Sequence, residues 1–245
     1  MKRAFVRALW GDYKENLEKE DLEFNIDLEQ GQVKRRDRTD GFINAFLKDK
    51  KKVNHCIDPL HIYIIGKNNL EYLKSKGFEN LHLICDKPFK YDPIRRTWWQ
   101  KLEVLKYAME DFDEIVYLDW DTYLAREIPD NFWDSLGKKD IFQACLRKYA
   151  CKKLCHREGN GANKLVSQGG FIYMRDKSIP EQLFKYAAMP GNKWLDETAY
   201  ARYTDSLTNG WQGTKKYFEL FEPEWMVVSA GIFNNVKPNS CFVHK

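Results

Sequence analysis

Apolar residues in this chain fall into short unbroken runs separated by stretches with helical spacing. Ala4-Phe5-Val6-Arg7-Ala8-Leu9-Trp10, His61-Ile62-Tyr63-Ile64-Ile65, Leu81-His82-Leu83-Ile84-Cys85 and Ile115-Val116-Tyr117-Leu118 have the length and β-branched or aromatic content of buried strands. Two later runs, Asp140 to Leu146 and Gln168 to Arg175, read the same way, and paired Gly169 and Gly170 at the start of the second let a ligand or backbone approach closely. Helical spacing predicts helices from Phe42 into Lys52, from Asn68 to Lys76 with Gly77 as the stop, and from Pro180 to Met189. The clearest helix runs from Thr97 to Met109, where Trp98, Leu102, Leu105 and Met109 form one stripe and Thr97 can cap. Ile128 to Trp133 reads as a short helix with Pro129 near its start, and a further helix begins around Trp194. Arg147 to Leu165 is irregular, basic and Gly-bearing, and reads as a long loop of the kind that often carries function. Lys14 to Gln30 holds a helix and then an extended piece, while Tyr217 to Phe221, Trp225 to Val228 and the terminal apolar run Cys241-Phe242-Val243 look extended. Strand, helix, strand at this spacing predicts parallel βαβ units. The expected architecture is one α/β domain over residues 1–245: a central mixed, mostly parallel sheet flanked by helices, without internal repeat or linker.

Composition narrows the function. With 245 residues, 43% hydrophobic and 31% charged, the chain can build a sizeable core and is not disordered. The net charge of +4, from 40 basic and 36 acidic residues, suits an anionic small substrate and is too mild for a dedicated nucleic-acid binder. Lys34-Arg35-Arg36-Asp37-Arg38 and Lys48-Asp49-Lys50-Lys51-Lys52 read mainly as solvated faces. Aromatics at 15% suit a pocket for bases and sugars as well as an ordinary core. Cys56, Cys85, Cys145 and Cys241 read as buried free thiols, and Cys151 with Cys155-His156 lacks the second ligand pair of a zinc site. No run approaches the ~20 apolar residues of a membrane span, so the expectation is a soluble cytoplasmic protein.

The candidate chemistry starts at Asp119-Trp120-Asp121, directly after the run Ile115 to Leu118. Sheet proteins bind ligands beyond the carboxyl ends of their strands, and two carboxylates there can share one hard divalent cation. The plain alternative is an acidic turn. At the end of the first strand, Gly11 permits a tight turn, Asp12 can bond a ribose or base edge, and Tyr13 can stack on a base; an ordinary turn is the alternative. Arg95 and Arg96 lie just ahead of the expected helix from Thr97, where cationic forks and free N–H groups converge on an anion. Asp196 and Glu197 begin a helix, where they either suit its dipole or face the pocket.

In order, these features resemble the GT-A nucleotide-sugar glycosyltransferases: Trp10-Gly11-Asp12-Tyr13, the Lys-bearing helix Trp99-Gln100-Lys101-Leu102, Val116 to Asp121, Gln168 to Met174, Asp196-Glu197 and Phe242-Val243-His244-Lys245. The chain looks most like the family 8 branch of glycogenin and lipopolysaccharide galactosyltransferases, and it also resembles small enzymes of this type from large algal viruses, which would place it in the host cytoplasm. The resemblance implies residues 1–124 as a nucleotide-binding half and 125–245 as an acceptor and sugar half. It implies Mn²⁺ or Mg²⁺ held by Asp119, Asp121 and His244, and a cofactor-binding set of Trp10, Gly11, Asp12, Tyr13, Arg96, Lys101, Trp120, Gly169, Gly170 and Lys245. Where the family has a Gly and a Lys after this His, Lys245 follows His244 directly, so Lys245, Arg96 or Lys101 would clamp the diphosphate. Gln168 stands where the family has a small polar residue near the transferred sugar. Asp196 resembles the acidic member of the family's Asp-Gln pair, with Glu197 in place of Gln; such an acidic pair also suits an inverting enzyme with a carboxylate general base. The implied reaction transfers a sugar from a UDP- or GDP-sugar to a hydroxyl of a glycan or glycoconjugate. A sugar-nucleotide-forming nucleotidyltransferase is the first alternative, but Trp10 to Glu15 lacks the Gly-rich basic loop expected of one. A non-enzymatic nucleic-acid or lectin-like binding module is the second, and would not need Asp119 and Asp121 to converge with His244.

Overall fold

The computed structural model describes residues 1–10, 43–44, 46–48, 59–87, 96–120, 122–124, 127–137, 142–149, 164–190, 199–200, 202–203, 206, 228–229 and 242–244. In chain order the strands are β1 (Arg3–Leu9), β2 (Leu60–Ile65), β3 (Leu81–Cys85), β4 (Glu114–Leu118), β5 (Thr122–Leu124), β6 (Phe142–Tyr149), β7 (Lys164–Met174), β8 (Val228–Ser229) and β9 (Phe242–His244). Among the described residues the helices with defined bounds are α1 (Lys67–Ser75), α2 (Arg96–Asp111), α3 (Phe132–Gly137) and α4 (Ile179–Ala188); residues 43–44, 46–48, 199–200, 202–203 and 206 are also helical. Six strands form one sheet in the order β3-β2-β1-β4-β7-β6, and β5-β9-β8 form a small second sheet.

β3, β2, β1 and β4 run parallel, as βαβ spacing predicts. β7 then pairs antiparallel with β4, and β6 antiparallel with β7. The sheet is therefore the expected mixed, mostly parallel one. Successive side chains of a strand point to opposite faces, and here both faces are buried. Ala4, Val6 and Ala8 of β1, Ile115 and Tyr117 of β4, and Ile172 and Met174 of β7 meet Leu102, Leu105 and Met109 of α2 and Leu183 of α4. Phe5, Leu9, Val116, Leu118, Phe171 and Tyr173 project the other way, toward Leu73 of α1, Phe132 and Leu136 of α3, and Phe242 of β9.

Several boundaries differ from the expected ones. α2 begins at Arg96, so Thr97 lies inside the helix and cannot be its cap, and Arg96 is the helix's first residue rather than upstream of it. The short helix after β5 starts at Phe132, beyond Pro129, whose carbonyl accepts the Phe132 N–H at 2.9 Å. The long loop is shorter than expected at both ends, because β6 extends to Tyr149 and β7 starts at Lys164. Long antiparallel pairing supplies hydrogen bonds that local sequence does not reveal. Gly77 ends the α1 turn with φ +78°, a left-handed conformation favouring glycine, as expected of a helix stop. Cys85 is a free thiol, half-buried rather than fully buried.

At the amino end of β2 and β3, His61 Nδ1 and His82 Nε2 lie 2.9 Å apart. His82 stacks on Tyr63 at 4.6 Å, His61 meets the Phe112 ring at 4.6 Å, and Tyr63 donates to the Asp111 carboxylate. Burial holds both imidazoles below the ordinary histidine range; His82 lowers His61 further, while Asp111 pulls both partly back. A depressed histidine binds fewer protons folded than unfolded, so stability is full above the ordinary pKa of 6.5 and falls as pH drops below it. Urea unfolding from about pH 5 to about pH 7.5 should show this loss, and His82→Gln should flatten it. Identical pH slopes in the two proteins would remove the histidine pair as its source.

Candidate active site

Asp119 is the first residue after β4, at the carboxyl end of the parallel strands, where sheet proteins bind ligands. Its carboxylate is held from two sides. Lys101, on the buried face of α2, places its ammonium 2.9 Å from Oδ1 and 3.1 Å from Oδ2. The Tyr117 hydroxyl, two residues back on the same face of β4, donates to Oδ1 at 2.8 Å. The Lys101 side chain is 2% exposed and that of Asp119 is 24% exposed, so the pair is sealed behind and open in front. A carboxylate offers about four lone-pair sites, so these donors leave capacity on the open side for a cation. Hydrogen bonds to charged groups contribute about 1.5–3 kcal/mol each, enough to hold this side chain in one orientation.

β7 closes the site from the other side. The β6–β7 register passes from Ala144↔Ile172 to Cys145↔Gln168, so residues 169 to 171 of β7 have no counterpart on β6. The β4–β7 ladder ends at Leu118↔Phe171. Gly169 and Gly170 thus lie outside both ladders, and their carbonyls turn to Asp119 and its neighbours. Gly169 O accepts from Lys101 at 3.2 Å; Gly170 O accepts from the Asp119 N–H at 3.1 Å and the Thr122 hydroxyl at 2.8 Å. The close approach expected at the glycine pair is made by the protein's own backbone, and the pair sits within β7 rather than at its start.

The segment from Asp119 to Thr122 is a tight turn closed by the Thr122 N–H on Asp119 O at 2.9 Å. Trp120 points back onto the sheet. Its indole N–H donates to Ala8 O at 2.8 Å, and its ring packs edge-on against Phe46 and Phe78. The turn leads into β5, which pairs antiparallel with β9 so that His244 sits opposite Thr122. The far end of the chain is thereby brought beside the turn.

The structure thus brings together Asp119, Lys101, Trp120, Gly169, Gly170 and the backbone of His244. Trp10, the residue after β1, is half-buried against the core on the α2 side. Gln168 lies on β7 and Arg96 at the start of α2, both described only in their backbone. Gly11, Asp12, Tyr13, Asp121, Asp196, Glu197 and Lys245 lie outside the described residues, as do Cys151, Cys155 and His156. Among the described residues there is no group of three or more metal-ligating side chains, and no described helix is long and apolar enough to cross a membrane.

Two residues that hold Asp119 and its turn, Tyr117 and Arg7, lie outside the set expected from the sequence. In the sequence Tyr117 reads as strand filling, and its place two before Asp119, on the same face, is the available signal. Arg7 is the only charged residue in the run Ala4 to Trp10, and a charge inside an otherwise apolar strand was a signal as well.

No protein-family model and no curated protein matches the chain. Three solved structures are similar to it at low identity. One is a glycosyltransferase involved in glycosylation of the major capsid of the virus PBCV-1: 10% identity, TM-score 0.43, covering 100% of this chain and 92% of that one. The second is the galactosyltransferase LgtC in complex with donor and acceptor sugar analogs: 12% identity, TM-score 0.48, covering 98% and 86%. The third is a Bacillus anthracis protein described as a glucose-1-phosphate thymidylyltransferase, in complex with a sucrose: 10% identity, TM-score 0.45, covering 89% and 94%.

Proposed function

We propose that the chain is a metal-dependent glycosyltransferase that moves a sugar from a nucleotide-diphosphate donor, UDP-linked in preference to GDP-linked, to a hydroxyl of a glycan or glycoconjugate. The observation that carries this reading is the Asp119 carboxylate, fixed by Lys101 and Tyr117 with one side open, beside a turn that faces His244 across the β5–β9 pair.

In this reading Asp119, Asp121 and His244 hold Mn²⁺ or Mg²⁺. The fit rests on donor chemistry: an open, oriented carboxylate oxygen is a ligand that hard divalent cations accept. When bound, the metal supplies Lewis-acid stabilisation of the negative charge on the departing diphosphate. Lys101 orients Asp119, and Arg96 and Lys245 offer cationic groups to the phosphates. Trp10, Gly11, Asp12 and Tyr13 line the base and ribose end. Gln168 lies near the transferred sugar. Asp196 or Glu197 either steadies the cationic sugar or takes the proton from the acceptor hydroxyl. Residues 1–124 then carry the nucleotide side and 125–245 the sugar and acceptor side.

The test is a panel of UDP- and GDP-sugars with Mn²⁺, read by thermal shift and donor hydrolysis. A donor at ~100 times its Kd stabilises by about 2.7 kcal/mol, a rise of roughly 5–10 °C in a chain of this size. At least one UDP-sugar should give this shift and be hydrolysed slowly in the presence of Mn²⁺. Silence across the panel would end the reading, and pyrophosphate release from a nucleoside triphosphate and a sugar phosphate would redirect it to nucleotidyl transfer.

A further inference from the structure

Arg7 occupies the middle of β1, at the centre of the sheet, and is 0% exposed. A buried guanidinium is costly unless its donors are used. Here two of its nitrogens are spent on main-chain carbonyls at the two ends of one turn: Nη1 donates to Asp119 O and Nη2 to Thr122 O, the latter at 2.8 Å. Asp119 O also accepts the Thr122 N–H that closes the turn. The guanidinium lies 4.8 Å from the Phe46 ring and 5.2 Å from the Trp120 ring, so residue 120 of the same turn covers the cation that grips residues 119 and 122. Trp120 ties the turn to β1 a third time through Ala8 O.

We propose that Arg7 is the positioning residue of the Asp119–Thr122 turn: by bridging both end carbonyls with one planar fork, it sets the direction in which Asp119 presents its carboxylate. Arg7 is fully buried beneath the turn and acts through it. A lysine carries the same charge but, with a single nitrogen on a flexible stem, cannot reproduce the planar fork that spans two carbonyls. The turn-holding part stands on the geometry alone; the consequence for metal binding rests on the glycosyltransferase reading.

The experiment compares wild type, Arg7→Lys and a control, Leu183→Ala, which removes core packing on the opposite face of the sheet. Arg7→Gln, which keeps one amide donor, is the second variant should Arg7→Lys not fold. Amide hydrogen exchange at Thr122 and Mn²⁺ binding with UDP, followed by the free-Mn²⁺ resonance, are read on each protein. Arg7→Lys should speed Thr122 exchange and weaken Mn²⁺ binding, each by about tenfold or more, while the control changes neither beyond its global loss of stability. Unchanged exchange at Thr122 in the Arg7 variant, or an equal loss of metal affinity in the control, would overturn the assignment. If wild type binds no Mn²⁺, the metal consequence fails together with the function reading, and the exchange comparison alone still decides whether Arg7 holds the turn.

Discussion

On the glycosyltransferase reading, Asp119→Asn should lose sugar transfer by about a thousandfold or more while costing less stability than removal of the side chain. The separation of effects follows from the geometry. Asparagine keeps the shape of the side chain and one carbonyl oxygen, which at the Oδ1 place can still accept from Tyr117 and Lys101, while the amide that replaces Oδ2 cannot, so Lys101 loses one contact and its counter-charge. What disappears is the negative charge that a divalent cation needs. Asp119→Ala should lose the same activity and also stability, of the order of one charge-assisted hydrogen-bonded contact, about 1.5–3 kcal/mol, because Lys101 is sealed at 1% exposure where water cannot replace its partner. The lower end is the better expectation, since Asp119 itself is 24% exposed and already partly solvated. Transfer assays with the donor found by the panel, together with Mn²⁺ titration and thermal melts, separate the two substitutions. Transfer by Asp119→Asn within tenfold of wild type would show that the turn is an acidic turn and nothing more.

Phe242→Ala is the substitution expected to cost most in stability. Phe242 is fully buried on β9, with its ring 5.3 Å from Phe171, 5.8 Å from Phe132 and 6.4 Å from Phe5. It is the peg by which the terminal strand is fastened to the sheet and to α3. Emptying a buried aromatic site costs about 3–5 kcal/mol, a fall of roughly 6–20 °C in midpoint for a chain of this length. The same substitution loosens the pairing of Thr122 with His244, so on the metal-site reading Mn²⁺ affinity should fall even at temperatures where the rest of the chain is folded. Phe242→Leu keeps most of the volume and should be much milder. A melting curve for Phe242→Ala that overlays wild type would mean that β9 is not anchored by this ring.

Which parts of this picture were readable beforehand depended on whether the determining force is local. Strands β1, β2 and β4 of the parallel half are visible as apolar runs because their residues are buried, mostly on both faces, while the edge strand β3 is apolar though only partly buried. The stripe of Leu102, Leu105 and Met109 on α2, and the stop at Gly77, follow from helix period and backbone sterics, which act within a few residues. Helix starts were less legible: α2 and α3 both begin at positions other than those expected, because first-turn N–H groups can be satisfied in several ways.

Sequence alone thus determined the alternation of strands and helices, the α/β class, and the position of Asp119 after a buried strand. It did so because hydrophobic burial imprints a period on the chain. Tertiary structure alone decided that β7 reverses direction beside β4, and that Gly169 and Gly170 slip out of both ladders to face the turn after β4. It alone decided that Lys101 is spent on Asp119, that His244 lies opposite Thr122, and that Arg7 grips the turn from beneath. Each of these is a pairing between residues far apart in the chain, and neither partner carries a local mark of the other. Such contacts are set by register and by the need to satisfy buried polar groups, forces that act only once the sheet has formed.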